Sequence, residues 1–192
     1  MIPSIPQCTQ LMADYAMLAN IKDHSFMVAR VASLLSKELA RAGVQIDCGL
    51  AVAGALLHDI AKTQCLESRC NHAQVGVEIC LELGFPEVAD IVGEHVVLSD
   101  FSPPQLSAKE VVYYADKRVN HDRIVTLKER LEYILERYGQ GDPALIEKIH
   151  VNFGKCCQIE DRIFSFLDFQ ADQVPSLVRE SAELGREYAE VG

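Results

Sequence analysis

The sequence predicts an all-α fold, a helical bundle of roughly seven or eight helices in a single domain, and three observations predict it. Apolar residues recur at helical spacing nearly everywhere, while strand-like alternation is hard to find. Residues that cap, open or stop helices stand at the ends of the apolar stretches: Asp47 and Asn71 ahead of them, Pro86 at a first turn, Gly43 and Gly84 behind. A chain of 192 residues that is 49% apolar and 24% charged, with no repeat and no low-complexity tract, suits one domain with a sizeable core.

Each element follows in order. Over Lys22 to Arg41, the residues Met27, Val28, Val31, Leu34 and Leu35 share one stripe, and Gly43 then suits a left-handed stop. Asp47 is placed to cap the run CGLAVAGALLHDIAK, residues 48–62, which is apolar on almost every side and so describes a central helix enclosed by others. Asn71 caps a third helix with the stripe Val75, Gly76, Ile79, Cys80 and Leu83; Pro86 opens a fourth containing Val88, Ile91 and Val92. The segment SDFSPPQLS, 99–107, is the clearest loop. After it come a helix through Lys109 to Asn120, a charged amphipathic one from Asp122 to Tyr138, and a turn at GQGDP. A long helix from Ala144 to about Phe169 and a terminal one following Pro175 complete the chain. The whole of 1–192 reads as one domain, a functional core at about 20–120 with C-terminal helices at about 122–192 packing on it.

Composition narrows the function. Asp and Glu outnumber Lys and Arg by 28 to 18, a formal charge of −10, so no overall positive field draws the chain to a nucleic-acid duplex. The longest nearly apolar run, Cys48 to Leu57, is too short to cross a bilayer, and the N-terminus lacks the pattern of a secretory signal. A cytoplasmic protein with no membrane partner is expected. Seven cysteines without a secretory signal then argue for reduced thiols, most of them small hydrophobes. Cys65, Cys70 and His72 lack a second matching pair downstream and read as structural rather than as a zinc site.

His58 and Asp59 sit side by side near the end of the central helix. A carboxylate taken out of water there costs several kcal/mol unless a cation lies close. The other histidines fall on inward faces: His24 with Met27, Val28 and Val31; His72 with Val75, Gly76 and Ile79; His95 with Ile91 and Val92. Asp116, four residues after Val112 and three before Val119, also points to the core. Four imidazoles and two carboxylates therefore converge from five helices. His150, on a stripe with Ile146, Ile149 and Phe153, is assigned to packing, and His121 to the solvated surface or a substrate rim.

In these residues the sequence resembles the HD superfamily of metal-dependent phosphohydrolases. The ordered pattern is His24, then His58-Asp59, then Asp116, with His72 and His95 at the intermediate positions of the two-metal branch; HDIAK, 58–62, is close to the HDIGK consensus. The resemblance implies an all-α HD-type bundle. It also implies one ion held by His24, His58, Asp59 and Asp116 and a second held by His72 and His95, with Asp59 bridging.

Mixed imidazole and carboxylate ligands suit two divalent transition-metal ions, Fe, Mn, Co, Ni or Zn, better than Mg. Such a pair attracts phosphate despite the acidic chain, and a hydroxide activated between the ions removes the need for a side-chain nucleophile. Asp59 and Lys62 are thus the expected catalytic residues. Lys62, Arg118 and Arg123 are the candidates for contacts with substrate anions. The expected reaction is hydrolysis of a phosphoester or phosphoanhydride of a small phosphorylated, nucleotide-like metabolite, with a dinucleoside polyphosphate as the specific guess. Two other readings use the same architecture, a di-iron oxygenase and a non-catalytic signalling or scaffold protein. A homodimer is compatible with the amphipathic segment 122–138.

Overall fold

A computed structural model describes residues 1–99 and 106–181. Its elements are α1 (Ile5–Asp14), α2 (Ala19–Arg41), α3 (Cys48–Leu57), α4 (Lys62–Ser68), α5 (His72–Glu82), α6 (Pro86–Glu94) and α7 (Ala108–Lys117). Two short strands follow, β1 (Val119–Asn120) and β2 (Arg123–Ile124), then α8 (Leu127–Tyr138), α9 (Pro143–Phe164), a 3-10 turn (Ala171–Gln173) and α10 (Val174–Glu180). The fold is all-α as the sequence predicts. No helix among the described residues is long and apolar enough to cross a membrane.

The helix α3 is the axis of the bundle. Its residues Ala51 to Leu57 are all buried, and it packs on α1, α2, α6 and α7. Asp47 caps it by accepting from the Leu50 amide, and Asn71 caps α5 in the same way from Ala73 and Gln74, as the sequence indicates. Two glycines set helix spacing. A Cβ on Gly54 would stand 2.7 Å from Ile91, and one on Gly76 would stand 2.7 Å from Val92. Gly76 lies one turn beyond His72 and Val92 lies three residues before His95, so the close approach of α5 and α6 brings those two imidazoles together.

Several boundaries differ from the sequence reading, each for a local reason. The central helix does not run on to residue 62: it ends at Leu57, residues 58–61 form a turn, and α4 starts anew at Lys62. A run apolar on every side carries no periodic signal that could mark this break. The helix α1 was not expected, although Ser4 and Gln7 make a reciprocal capping box and Pro6 occupies its first turn. Between α7 and α8 the chain makes a two-residue antiparallel hairpin, Val119 opposite Ile124 and Asn120 opposite Arg123, with His121 left-handed at φ 55°. Strands of two residues are too short for alternation to show. The long helix stops at Phe164 rather than near Phe169, and Pro175 sits in the first turn of α10 instead of ahead of it. The expected loop at 99–107 falls mostly on 100–105, and the chain beyond Ser181 likewise lies outside the described residues.

The expectation of reduced cysteines fails at one pair. Arg69 adopts a left-handed conformation at the end of α4 and turns the chain back, so that Cys65 and Cys70, 4.9 Å apart at Cα, form a disulfide. The thiols of Cys8, Cys48, Cys80, Cys156 and Cys157 are free.

Candidate metal centre

Five elements deliver the convergent side chains: His24 from α2, His58 and Asp59 from the turn after α3, His72 from the start of α5, His95 from the end of α6, and Asp116 from the last turn of α7. All are buried except His72, which is partly exposed. Two groups of potential ligand atoms form, His24 with His58 and Asp59, and Asp59 with His72 and His95; in each, all the atoms lie within 4.8 Å of one another. Asp59 belongs to both. Its Oδ2 faces His58 Nε2 at 3.4 Å, while its Oδ1 faces His72 Nε2 at 3.3 Å and His95 Nε2 at 3.4 Å. Asp116 closes the first group from the other side, with Oδ1 at 2.9 Å from His24 Nε2 and 3.8 Å from His58 Nε2.

Three of the four imidazoles are held in one tautomer. His58 Nδ1 lies 2.7 Å from the Ala55 carbonyl, His95 Nδ1 2.6 Å from that of Val92, and His24 Nδ1 2.9 Å from that of His121. A carbonyl only accepts, so each Nδ1 donates and each neutral ring turns the lone pair of Nε2 to the centre. This arrangement fixes and orients histidine ligands in metal sites. His72 and His95 meet Nε2 to Nε2 at 3.2 Å, and His58 Nε2 and Asp59 Oδ1 are buried with no hydrogen bond. Buried polar atoms left this way are unfavourable, and an ion at the point on which they converge relieves them. The donor set fits a divalent transition-metal ion.

The electrostatics agree. Burial alone pushes the Asp59 carboxyl up, but the imidazoles of His58, His72 and His95 hold it well below the ordinary carboxylate range. Burial acts on Asp116 likewise, and Lys117, His24 and His58 hold it low. Burial drives His95 down to about 4, keeping that ring neutral. On His58 burial is outweighed by the Asp59 and Asp116 carboxylates, which pull it up. In the absence of metal a proton competes for that position.

Lysines complete the polar shell. Lys62 Nζ lies 2.7 Å from Asp59 Oδ2, so this residue contacts the HD carboxylate itself rather than standing apart at the mouth. Buried Lys117 donates to Asp116 Oδ2 and to the His95 carbonyl, both at 2.7 Å, and lies over the Tyr113 ring. Sequence reasoning missed it, because a lysine at a helix end reads as surface charge.

Other expected site residues are placed elsewhere. Arg118 is not at the site: it is buried on the far side of α7, donating to the Val125 and Ala171 carbonyls and to Tyr114 Oη, with Glu160 beside it. Arg123 is exposed on β2 and does not line the cavity over the centre. His150 is exposed rather than packed, because α9 turns that edge of its stripe to solvent. His121 is exposed at the hairpin tip, yet its carbonyl orients His24. The C-terminal helices also have a part here. Asn152 and Lys155 of α9 bond to the Val96 and Leu98 carbonyls, and Asn152 Oδ1 accepts from Tyr113, which pins the segment that follows His95.

The centre floors a cavity of about 390 Å³ whose lining includes Asp59, Lys62, His72, His95, Asp116, Lys117 and Arg130.

The chain is similar to several known proteins. An uncharacterized protein of Methanocaldococcus jannaschii is 26% identical over 148 residues, covering 69% of this chain and 86% of that one. Ribonuclease Y of Treponema denticola is 33% identical over 135 residues, 65% of this chain but only 25% of its own length. A solved structure described as a predicted HD superfamily hydrolase, from an uncultured Thermotogales bacterium, is 17% identical with a TM-score of 0.49, covering 85% of this chain and 92% of that one. The HD domain matches residues 21–121, the stretch that contains all six converging side chains, and the chain belongs to this family.

Proposed function

We propose that the protein is a metal-dependent phosphohydrolase that cleaves a phosphoester or phosphoanhydride of a nucleotide-like metabolite. The observation that carries this reading is the sharing of Asp59 between two histidine groups on the floor of one cavity. In this reading His24, His58, Asp59 and Asp116 hold one divalent ion, and Asp59, His72 and His95 hold a second. When bound, such ions supply an ionised water at neutral pH and neutralise charge on the phosphoryl oxygens.

The chain's own residues do the rest. Backbone carbonyls of Ala55, Val92 and His121 keep three rings oriented. Lys117 holds Asp116 and ties it to the His95 backbone, so the two ligand groups keep their separation. Lys62 is close enough to exchange its bond with Asp59 for one to a substrate oxygen.

A second substrate reading comes from the similarity to ribonuclease Y, whose name makes RNA phosphodiesters part of any panel, with the matched region a quarter of that protein. The test is elemental analysis of protein purified without added metal or chelator, followed by turnover of phosphoesters with and without oxygen. The expected outcome is bound transition metal and oxygen-independent release of phosphate or nucleotide. Oxygen-dependent turnover would instead establish the di-iron oxygenase, and inert protein without metal the scaffold. Lys62→Ala is expected to keep its metal and lose about tenfold in substrate affinity, the scale of one charge-assisted hydrogen bond.

A further inference from the structure

The cavity over the centre has two unlike halves. The floor is the histidine and aspartate cluster. The far wall comes from α8 and α9 and is mostly apolar, with Ile134, Leu145, Ile149 and Phe153 beside the polar Lys148 and Asn152. Both wall helices lie beyond residue 121, outside the stretch that matches the HD domain, so family membership assigns them no role.

Arg130, in the first turns of α8, stands between floor and wall. Its side chain is 14% exposed. Nη1 donates to Asn120 Oδ1 at 3.0 Å, Nη2 stands 3.9 Å from Asp116 Oδ1, beyond hydrogen-bond distance, and Nε is buried without a partner. A guanidinium has five donors; here one is buried without a partner, and the side chain lines the cavity, where an anion can meet the rest. The neighbouring cations are differently occupied. Lys117 is bonded to Asp116 and a carbonyl, and Lys62 to Asp59, whereas Arg130, 5.6 Å over the Tyr133 ring, makes one hydrogen bond among the described residues.

We infer that Arg130 is the phosphoryl-binding group of this site and that the α8–α9 wall receives the organic part of the substrate, a phosphate monoester of one nucleoside-sized group with an apolar ring face. The inference rests on the phosphohydrolase reading above. Held at Asn120, the planar fork is positioned to meet phosphate oxygens that approach the floor, a geometry a lysine cannot reproduce. A ring lying on Ile134, Ile149 and Phe153 is removed from water. The volume of about 390 Å³ is near the lower end of small-molecule sites and suits one nucleoside-sized group. The reaction balances simply: the oxygen of water forms a bond to phosphorus, the ester P–O bond breaks, and a proton from that water ends on the departing alcohol.

The test uses the full, metal-loaded chain. Hydrolysis of a nucleoside 5′-monophosphate, ribose 5-phosphate, a symmetric dinucleoside polyphosphate and a short oligoribonucleotide is compared, and binding of inorganic phosphate is measured by calorimetry. The nucleoside monophosphate is expected to exceed ribose 5-phosphate in kcat/KM by about tenfold or more, the scale of burying one ring. Arg130→Gln should weaken inorganic phosphate binding about tenfold and raise KM, with Arg130→Lys intermediate. Ile149→Ser should narrow the ratio between the two monophosphates. Thermal melts establish that each variant is folded. Equal use of both monophosphates, faster cleavage of the dinucleotide or the RNA, or unchanged phosphate affinity in Arg130→Gln overturns the inference. Failure of the wild-type protein to turn over any phosphoester sinks the phosphohydrolase reading instead, and the calorimetry still decides the role of Arg130.

Discussion

The last turn of α7 feeds two buried ionic clusters, and they are built on opposite principles. On one side Asp116 joins Asp59 and four imidazoles in a group where His58 Nε2 and Asp59 Oδ1 have no hydrogen bond. Two residues later, on the other side, Arg118 is surrounded by groups of the protein itself: two backbone carbonyls, Tyr114 Oη and the carboxylate of Glu160, which also accepts from Tyr114. One cluster is complete without a ligand and the other is not. Completeness, rather than burial or charge, separates structural from functional polarity here.

The largest effect should come from the incomplete side. Asp59→Asn is expected to lower activity by more than about 100-fold and to remove most bound metal, since both ligand groups pass through this carboxylate. The fold of the metal-free protein should survive, because the atoms around Asp59 are already poorly partnered. Metal analysis with thermal melts of the apo form checks both halves, and unchanged metal stoichiometry would count against bridging.

Arg118→Met should do the reverse. Deleting the guanidinium strands Tyr114, Glu160 and two carbonyls, so a loss of about 3 kcal/mol is expected, the scale of a broken buried pair. Denaturant unfolding measures it, and metal content should stay at the wild-type level. Metal loss from a variant that remains folded would mean that the clusters communicate through α7 and the comparison is too sharp.

Acid separates the two regions further. His95 falls to about 4 in the folded protein, below its unfolded value of about 6.5, so in this window the unfolded chain binds the extra proton. Its contribution to stability therefore declines as pH drops from about 6.5 to about 4. His58, pulled up by the carboxylates, acts with the opposite sign. A guanidinium does not titrate in this window. In metal-free protein, His95→Gln should thus flatten the slope of stability against pH over this window, whereas Arg118→Met should keep the part of that slope that His95→Gln removes. Urea unfolding at a series of pH values decides between them.

The incomplete cluster was legible in the sequence and the complete one was not. His24, His72, His95 and Asp116 each share a stripe with apolar neighbours, and periodicity alone turned all of them inward. Arg118 belongs to a lysine-arginine pair at a helix end, the usual signature of a solvated face, and its partners at Val125, Glu160 and Ala171 are distant in sequence. Arg130 was missed for the same reason. Its position depends on the hairpin at 119–124, two strands too short to leave a pattern. Spacing reads which way a residue faces on its own helix, but not which distant groups it meets.

His150 shows where that reading ends, and it carries the smallest prediction. Its stripe with Ile146, Ile149 and Phe153 satisfies the same test as the other histidines, yet only Phe153 is fully buried, Ile146 and Ile149 are half-covered, and His150 is exposed. The difference lies in what the helix packs on. The helices α2, α3 and α7 are covered by neighbours on several sides, so an apolar stripe there is an inward stripe. By contrast α9 borders the open cavity over the metal centre, and part of its apolar face lines that cavity instead of a packed core. His150→Ala should therefore change stability by less than about 0.5 kcal/mol and leave bound metal intact, as surface substitutions do. A loss of 2 kcal/mol or more, about what burying a large apolar side chain is worth, would mean that α9 is covered in solution, and that its exposed edge is a contact with another surface.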